Sequence, residues 1–228
     1  MARPIATAAL CFLIILFYVF ELAFPAFPGM LSLSAAGAIE RPWTPVTYMF
    51  IHDPSDPGHI IFNLFGLALF GSVLESIAGS RRFLMVFFAS GIVSGIAGTL
   101  FYTSLIGASG AIFGILGTLG VIRPRMMVWA MGVPVPMIAA IAIWAAADSL
   151  GFFVPDSVAH ASHLTGMATG IVYGIIIRPL YREKPRKKPH PLSDPEMDEW
   201  EEKWMKIKKL KNHMNPKSGS FLGSNLTT

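Results

Sequence analysis

Long apolar stretches fill most of the first part of the chain and are separated by shorter polar connections. A membrane-spanning helix needs about 20 predominantly apolar residues to cross roughly 30 Å of hydrocarbon. We predict one such helix over each of six stretches: residues 5–24, 58–77, 83–103, 109–122, 127–150 and 159–178. The pattern indicates an all-α membrane protein, a bundle of six transmembrane helices with a short cytoplasmic C-terminal helix.

The fourth stretch, residues 109–122, is too short to cross the bilayer by itself. At 1.5 Å per residue it measures about 21 Å, so its outer end, Ser109, has to begin below the membrane surface. The connection before it then dips into the membrane, where non-helical backbone needs surrounding protein or water. We therefore expect Ser109 to lie inside the bilayer, near its external side, in a water-filled cavity.

Basic residues mark alternate connections between the predicted helices. They are concentrated in the Arg81–Arg82 turn, at Arg123 and Arg125, and in residues 178–188, whereas the other connections are mainly acidic. Cytoplasmic connections carry the excess of lysine and arginine in membrane proteins. We therefore predict that both termini are cytoplasmic, and that in a prokaryote this multi-pass protein lies in the cell membrane.

The composition changes after the sixth stretch, which predicts a membrane domain over residues 1–182 and a cytoplasmic tail over residues 183–228. Apolar residues recur at helical spacing within the tail: Met197, Trp200, Trp204 and Ile207. They predict an amphipathic helix over about residues 194–212, followed by a disordered end. The sequence leaves open whether the apolar face of this helix meets the bilayer or a partner protein.

The composition excludes a soluble domain. Of the 228 residues, 53% are hydrophobic and 14% are charged, and the mean hydropathy is +0.55. This balance is typical of a multi-pass membrane protein. The single cysteine, Cys11, excludes an intrachain disulfide and a cysteine-based metal site. We expect the first apolar stretch to be a retained helix, because no small-residue cleavage site follows it.

Hydrogen-bonding residues lie at the start of three predicted helices: the second, the fourth, which begins with Ser109, and the sixth. His59 and Asn63 are four residues apart, so they share one face at the start of the second helix. A stripe of glycines follows His163 in the sixth helix: Gly166 and Gly170. Because small residues let two helices approach closely, a contact between this stripe and the glycines of the fourth helix would bring His163 beside Ser109.

A histidine beside a serine in a wet cavity indicates nucleophilic acyl transfer. The imidazole takes the hydroxyl proton as a general base and returns it to the leaving amine. The candidate groups that stabilise the oxyanion are His59, Asn63, the backbone amide of Ser109, and Gly107 in the preceding loop. Each of these residues also has a structural interpretation, because serine and histidine often form hydrogen bonds between membrane helices.

The histidines near the predicted external surface do not favour a metal site. They are His52, His59, His160 and His163. No carboxylate or cysteine accompanies them at helical ligand spacing, which a zinc site would favour. We therefore predict neither a metal nor a cofactor, and interpret His52 and His160 as structural groups.

Four motifs, at these helix ends and in this order, resemble the rhomboid family of intramembrane serine proteases. They are His59-x-x-x-Asn63, Glu75-x-x-x-Gly79, Gly107-x-Ser109-Gly110 and His163-x-x-Gly166-x-x-x-Gly170. The resemblance covers roughly residues 5–178 and implies the six-helix rhomboid-like bundle. Glu75 lies at the cytoplasmic end of its helix, so we expect it to bond backbone groups in the turn that follows, residues 78–82.

The resemblance also implies a role for each site residue. Ser109 resembles the nucleophile of the family and His163 its general base, in a Ser–His dyad without an aspartate. His59 and Asn63 resemble the side chains that stabilise the oxyanion, together with the Ser109 amide. Phe113 stands where the family most often has a tyrosine that supports the histidine, and its ring can still stack on the imidazole.

The first external connection, residues 25–58, is long and contains several aromatic residues. We expect part of it to lie in the membrane interface, where the amphipathic rings of Trp43 and Tyr48 would settle, together with Phe50. The rhomboid resemblance is weaker here, because the sequence Arg41-Pro42-Trp43 replaces the Trp-Arg pair that is common in the family.

The resemblance implies that the substrates are single-span or multi-span membrane proteins, cleaved in the lipid bilayer near their external ends. They would be admitted laterally beneath a mobile loop, here about residues 151–159. We expect an intramembrane serine endopeptidase with no nucleic-acid partner. The alternative is a catalytically silent relative that binds or escorts membrane clients. A transporter is a third interpretation, which the lack of an inverted repeat disfavours.

Overall fold

The structure is a computed structural model that describes residues 4–130, 132–154, 158–181 and 195–214. The chain divides into two compact units, residues 1–182 and 183–228. The helices of the first unit are α1 (Ile5–Ala23), α2 (Phe27–Leu31), α3 (Ala35–Glu40), α4 (Thr44–Thr47), α5 (Pro57–Gly66), α6 (Ser72–Ala78), α7 (Ser80–Gly98), α8 (Ser109–Ile122), α9 (Met137–Gly151) and α10 (His160–Ile177). A π-helical turn over residues 67–71 joins α5 to α6 without a break.

Within the part of the chain that the structure describes, four helical segments are long and apolar enough to cross a membrane. They are Ile5–Ala23, Pro57–Ala78, Ser80–Gly98 and His160–Tyr181. Two further apolar helices, α8 and α9, are shorter. Each of the six predicted stretches therefore contains a helix, while membrane crossing by α8 and α9 stays a prediction.

Two strands, residues 127–130 and 133–136, form a β-hairpin where the sequence predicted the start of a helix. Strand β1 (Met127–Ala130) pairs antiparallel with strand β2 (Val133–Pro136). Gly132, with φ +81°, supplies the turn. Pro134 and Pro136 have no N–H to donate within a helix, so α9 begins only at Met137. The prediction of one helix over residues 127–150, and of an entirely α-helical chain, is wrong for this segment.

Helix α8 lies at the centre of the first unit, and most of its residues are buried. Helix α10 packs against its backbone, because a Cβ on Gly166 would overlap the Gly110 carbonyl and a Cβ on Gly170 would overlap that of Gly114. Thr118 Oγ1 also donates a hydrogen bond to the Gly170 carbonyl at 2.9 Å. The two helices are thus held in close backbone contact, which fixes their N-terminal ends relative to each other.

The aromatic residues of the first connection lie partly in the protein core. Tyr48 and Phe50 are buried, whereas Trp43 is half exposed. The Tyr48 hydroxyl donates to the Gly91 carbonyl at 2.6 Å. A membrane-interface position for part of this connection stays a prediction, while the structure gives the rings of Tyr48 and Phe50 partners within the protein through hydrogen bonding and packing against α7.

Arg41 and Trp43 anchor the same connection internally. The Arg41 guanidinium donates to the Gly29 carbonyl. The indole N–H of Trp43 donates to the neighbouring Met30 carbonyl at 3.3 Å. An arginine followed by a tryptophan therefore anchors the first connection of this chain, in the opposite order to the Trp-Arg pair described in the sequence analysis.

Glu75 joins the beginnings of two helices to the end of α6. Its buried carboxylate accepts hydrogen bonds from the backbone N–H groups of Ala6 and Thr7, at 2.9 and 2.8 Å, and from the Thr7 hydroxyl at 2.7 Å. The Ser80 hydroxyl donates to it at 2.6 Å. The backbone groups that the Glu75 carboxylate bonds thus belong to α1 and not, as predicted, to residues 78–82, where the carboxylate bonds the Ser80 side chain.

The second unit contains one described helix, α11 (Pro195–Met214), on the segment for which a helix over about residues 194–212 was predicted. Two ion pairs with i,i+4 spacing lie along it: Lys203–Glu199 at 2.9 Å and Lys206–Glu202 at 3.2 Å. Its tryptophans are exposed. Residues 182–194 and 215–228, with most of the predicted disordered end, lie outside the described residues.

Candidate active site

Ser109 is the first residue of α8, and the loop before it is held in an unusual conformation. Gly107 has φ +104°, which an L side chain rarely adopts. A Cβ at this position would also lie 2.6 Å from His59 Nε2. The Gly107 N–H donates to the Tyr48 carbonyl at 2.9 Å. The prediction that Gly107 belongs to the oxyanion-binding groups is therefore wrong for its N–H, and its contribution is to shape the loop.

The structure brings Ser109 and His163 together. His163 Nε2 lies 2.8 Å from Ser109 Oγ, within hydrogen-bond distance. The ring of Phe113, one turn after Ser109, lies parallel to the imidazole, with 4.3 Å between ring centroids and 9° between planes. One face of the imidazole is thus supported by an aromatic ring while its Nε2 faces the serine.

Asp148 is the third member of this arrangement. Its Oδ1 lies 3.0 Å from His163 Nδ1, on the side of the ring opposite to Ser109. The side chain of Asp148 is only 8% exposed. The prediction of a dyad without an aspartate is therefore wrong as a description of the geometry, since Ser109, His163 and Asp148 form a continuous hydrogen-bonded chain.

A sequence signal for Asp148 exists, although the sequence analysis missed it. Asp148 is the only ionisable residue of α9, whose other residues are almost all apolar. An ionisable group within such a helix is costly and marks a candidate functional site. Its partner could not be read from spacing, because it lies on another helix.

His160 shares the carboxylate of Asp148. His160 Nδ1 lies 2.6 Å from the same oxygen, Oδ1. His160 and His163 are three residues apart at the start of α10, so both rings reach the same side of the helix. Since an ionised carboxylate only accepts hydrogen bonds, both imidazoles donate from Nδ1.

A cavity of about 470 Å³ opens onto Ser109 and His163. The residues that line it come from α5 and the loop before it, from α8 and the loop before it, and from the start of α10 with the two residues that precede it. They are Asp53, Asp56, Gly58, His59, Phe62, Asn63, Tyr102, Ser104, Leu105, Ile106, Ser109, Ile112, Phe113, Val158, Ala159 and His163. The volume is sufficient for an extended peptide segment of a few residues, and the lining is mainly apolar with a few polar groups, as in many ligand sites.

His59 and Asn63 line the same cavity. Asn63 is buried, and its Nδ2 donates one hydrogen bond to the His59 carbonyl at 2.8 Å. The second hydrogen of this amide group remains for another acceptor. The backbone N–H groups at the start of α8, beginning with Ser109, have no intrahelical acceptors. The cavity therefore contains side-chain and backbone donors around one serine.

His52, whose ring lies next to that of His59, is neutral. The ring centroids of His52 and His59 are 5.0 Å apart. Burial, and to a smaller extent the neighbouring His59, lowers the pKa of His52 to about 3. Asp53 at the mouth of the cavity is ionised, because hydrogen bonds from the side chain and the backbone of Ser55 lower its pKa.

Asp148, His160 and His163 could also converge on a metal ion, since one ligand atom from each lies within 4.8 Å of the others. Direct hydrogen bonds already join the Asp148 carboxylate to both imidazoles. The zinc site considered from the sequence would combine His160 and His163 with His52 and His59. His52 Nδ1 lies 3.4 Å from the Phe50 carbonyl, within its own loop.

A comparison with family models matches residues 40–180 to the model described as Rhomboid domain. The matched region contains Ser109, Asp148 and His163, together with His59 and Asn63. A comparison with curated proteins gives no match.

Proposed function

The chain belongs to the rhomboid family, and from this premise we propose that it is an intramembrane serine endopeptidase. The protein is an integral membrane protein with several apolar helices. The observation that carries the proposal is the hydrogen bond of 2.8 Å between Ser109 Oγ and His163 Nε2 at the wall of a cavity. Nucleophile and base are then within reach of each other and of a bound peptide bond.

The reaction would proceed through an acyl-enzyme. His163 accepts the hydroxyl proton as Ser109 Oγ attacks the carbonyl carbon of the substrate, and the carbonyl oxygen becomes an oxyanion. The Ser109 N–H, His59 and the second N–H of Asn63 are the proposed donors to this oxygen. Protonation of the leaving amine by His163 breaks the peptide bond, and a water molecule deprotonated by the same imidazole then hydrolyses the ester.

We further propose six membrane-spanning helices with both termini in the cytoplasm. Helix α8, with 14 residues, reaches about 21 Å along its axis. Its buried position allows Ser109 to begin below the membrane surface, because neighbouring helices and not lipid surround it. Basic residues at the opposite end of α8, Arg123 and Arg125, support the cytoplasmic placement of that end.

Substrates in this proposal are single-span or multi-span membrane proteins, admitted from the bilayer. The end of α9 and the turn after it carry exposed apolar side chains, of which Phe153 is 83% exposed. Phe152 packs its ring edge-on against Phe101, with centroids 5.5 Å apart, and so joins the turn after α9 to the turn after α7. Residues 152–154 would move aside for the substrate, while residues 155–157 of the predicted loop lie outside the described residues.

The test is cleavage of a single-span membrane substrate by the purified protein in liposomes. Ser109→Ala should abolish cleavage without a change in folding, because it removes only the attacking oxygen. Ser149→Ala is the matched control, since it removes an exposed hydroxyl that bonds the Ala145 carbonyl. Cleavage retained by Ser109→Ala would refute the proposal. A folded wild type that retains a co-purified membrane client but cleaves nothing would favour the silent, client-binding alternative.

A further inference from the structure

We infer that Asp148 is a positioning residue for His163, which would extend the proposed Ser109–His163 pair to a serine–histidine–aspartate relay. The inference rests on the proposed function. It is carried by the chain of contacts from Ser109 Oγ to His163 Nε2 at 2.8 Å and from His163 Nδ1 to Asp148 Oδ1 at 3.0 Å.

The location of Asp148 supports a role beyond packing. The residue is 6% exposed near the end of an otherwise apolar helix. A carboxylate in this position is costly unless it is hydrogen bonded. Among the described residues, the two hydrogen bonds that its side chain accepts come from imidazoles of α10. The carboxylate therefore serves the two histidines and not the backbone of its own helix.

The first effect of Asp148 is on the tautomer of His163. Because an ionised carboxylate is an acceptor only, the hydrogen bond requires a proton on His163 Nδ1. The lone pair of a neutral imidazole then lies on Nε2, which faces the Ser109 hydroxyl. An imidazole with its proton on Nε2 could not accept the hydroxyl proton, so Asp148 selects the reactive tautomer.

The second effect is on the charge that develops on His163. When the imidazole takes the proton of Ser109, it becomes an imidazolium next to the buried carboxylate. An opposite charge in water-excluded surroundings stabilises this ion. His160 donates to the same carboxylate oxygen at 2.6 Å, which fixes the carboxylate in the orientation that reaches His163.

The alternative is that Asp148 only links α9 to α10. A structural link and a positioning residue both lower the yield of folded protein when they are removed. They differ in the pH profile, because only a charge that acts on His163 alters the pH at which the imidazole loses its proton. Among the described residues, four other charged or titratable groups face this region and stay unchanged in the test: His59 on α5, Asp53 and Asp56 in the loop before it, and His160.

The experiment compares wild type, Asp148→Asn and Glu75→Gln by the pH dependence of cleavage in liposomes. Asp148→Asn should lower kcat by about 10²- to 10⁴-fold with little change in KM, as loss of the orienting carboxylate does in serine proteases. The acidic limb of the kcat/KM profile should move to lower pH, since the imidazolium loses its stabilising charge. Glu75→Gln removes a buried carboxylate that also links helices and should leave both readouts unchanged in the folded fraction.

A value of kcat within threefold of wild type and an unmoved acidic limb for Asp148→Asn would overturn the inference. If this variant fails to fold, nitrogen-15 NMR of the wild-type histidines decides, with His160→Gln used for assignment. A proton on His163 Nδ1 is expected, and a proton on Nε2 would overturn the inference. A wild type that cleaves no substrate defeats the proposed function, whereas an active wild type with an indifferent Asp148 defeats this inference alone.

Discussion

Gly170→Ala tests whether the backbone contact between α8 and α10 sets the catalytic geometry. The added Cβ would lie 2.6 Å from the carbonyl carbon of Gly114 and 2.7 Å from its Cα, and would overlap the carbonyl oxygen. Carbon atoms in contact prefer separations of roughly 3.5–4.0 Å. Because the atoms in the way are backbone and cannot rotate aside, the helices would have to separate by about 1 Å.

This separation bears directly on the site, since Ser109 and His163 begin the same two helices. A displacement of about 1 Å would stretch the Ser109 Oγ to His163 Nε2 distance from 2.8 Å beyond hydrogen-bond range. A misplacement of this size can lower a rate by about 10²-fold. The overpacking itself should cost about 1–3 kcal/mol of stability.

The assay is cleavage in liposomes together with thermal unfolding in detergent. We expect Gly170→Ala to lose about 10²-fold in kcat and to unfold at a lower temperature. Gly29→Ala is the matched control, because a Cβ on Gly29 meets nothing within 4 Å. A Gly170→Ala variant with wild-type kcat would refute the reasoning that this contact positions Ser109 against His163.

Three further predictions follow from individual residues. Phe113→Leu removes the ring that stacks on His163. This ring contact is worth about 0.5–1.5 kcal/mol, so its loss should lower kcat by roughly 2- to 10-fold. Phe113→Tyr keeps the ring and should retain wild-type kcat. Glu75→Gln should destabilise the fold by about 2–4 kcal/mol, measured as a lower Tm, because an amide cannot accept every hydrogen bond that the carboxylate receives. Burial lowers the pKa of His52 from 6.5 to about 3, so the unfolded chain binds more protons between these values and stability should fall as pH drops below about 6.5. The His52→Gln variant should show a flatter dependence of Tm on pH, and an equally steep one would contradict this assignment.

The apolar pattern predicted where helices occur, and its failures have local causes. Helices lie on all six predicted stretches, which are the long apolar runs that a membrane-spanning helix would need. Residues 127–136 are also mostly apolar but contain Gly132, Pro134 and Pro136, which favour a hairpin over a helix. Hydropathy alone does not distinguish the two, whereas the spacing of the prolines does.

The part of the site in which both partner residues lie near helix ends was predictable from the sequence. Ser109 and His163 each begin a glycine-containing helix, so the contact between the helices also aligned these two residues. Asp148 was missed because its contact with His163 depends on how α9 is rotated about its own axis. The sequence of a helix that is almost uniformly apolar gives little information about that rotation. The hydrogen bond of Gly107 to Tyr48 spans two loops and has no sequence signature.

The most direct measurement of the central claim is labelling of the purified protein in lipid with a fluorophosphonate, which reacts only with an activated serine. Wild type should be labelled, and mass spectrometry should locate the label on Ser109. Ser109→Ala and His163→Ala should both lose it, while Ser149→Ala keeps it. A folded wild type without label, or label that persists in His163→Ala, would contradict a nucleophilic Ser109 activated by His163.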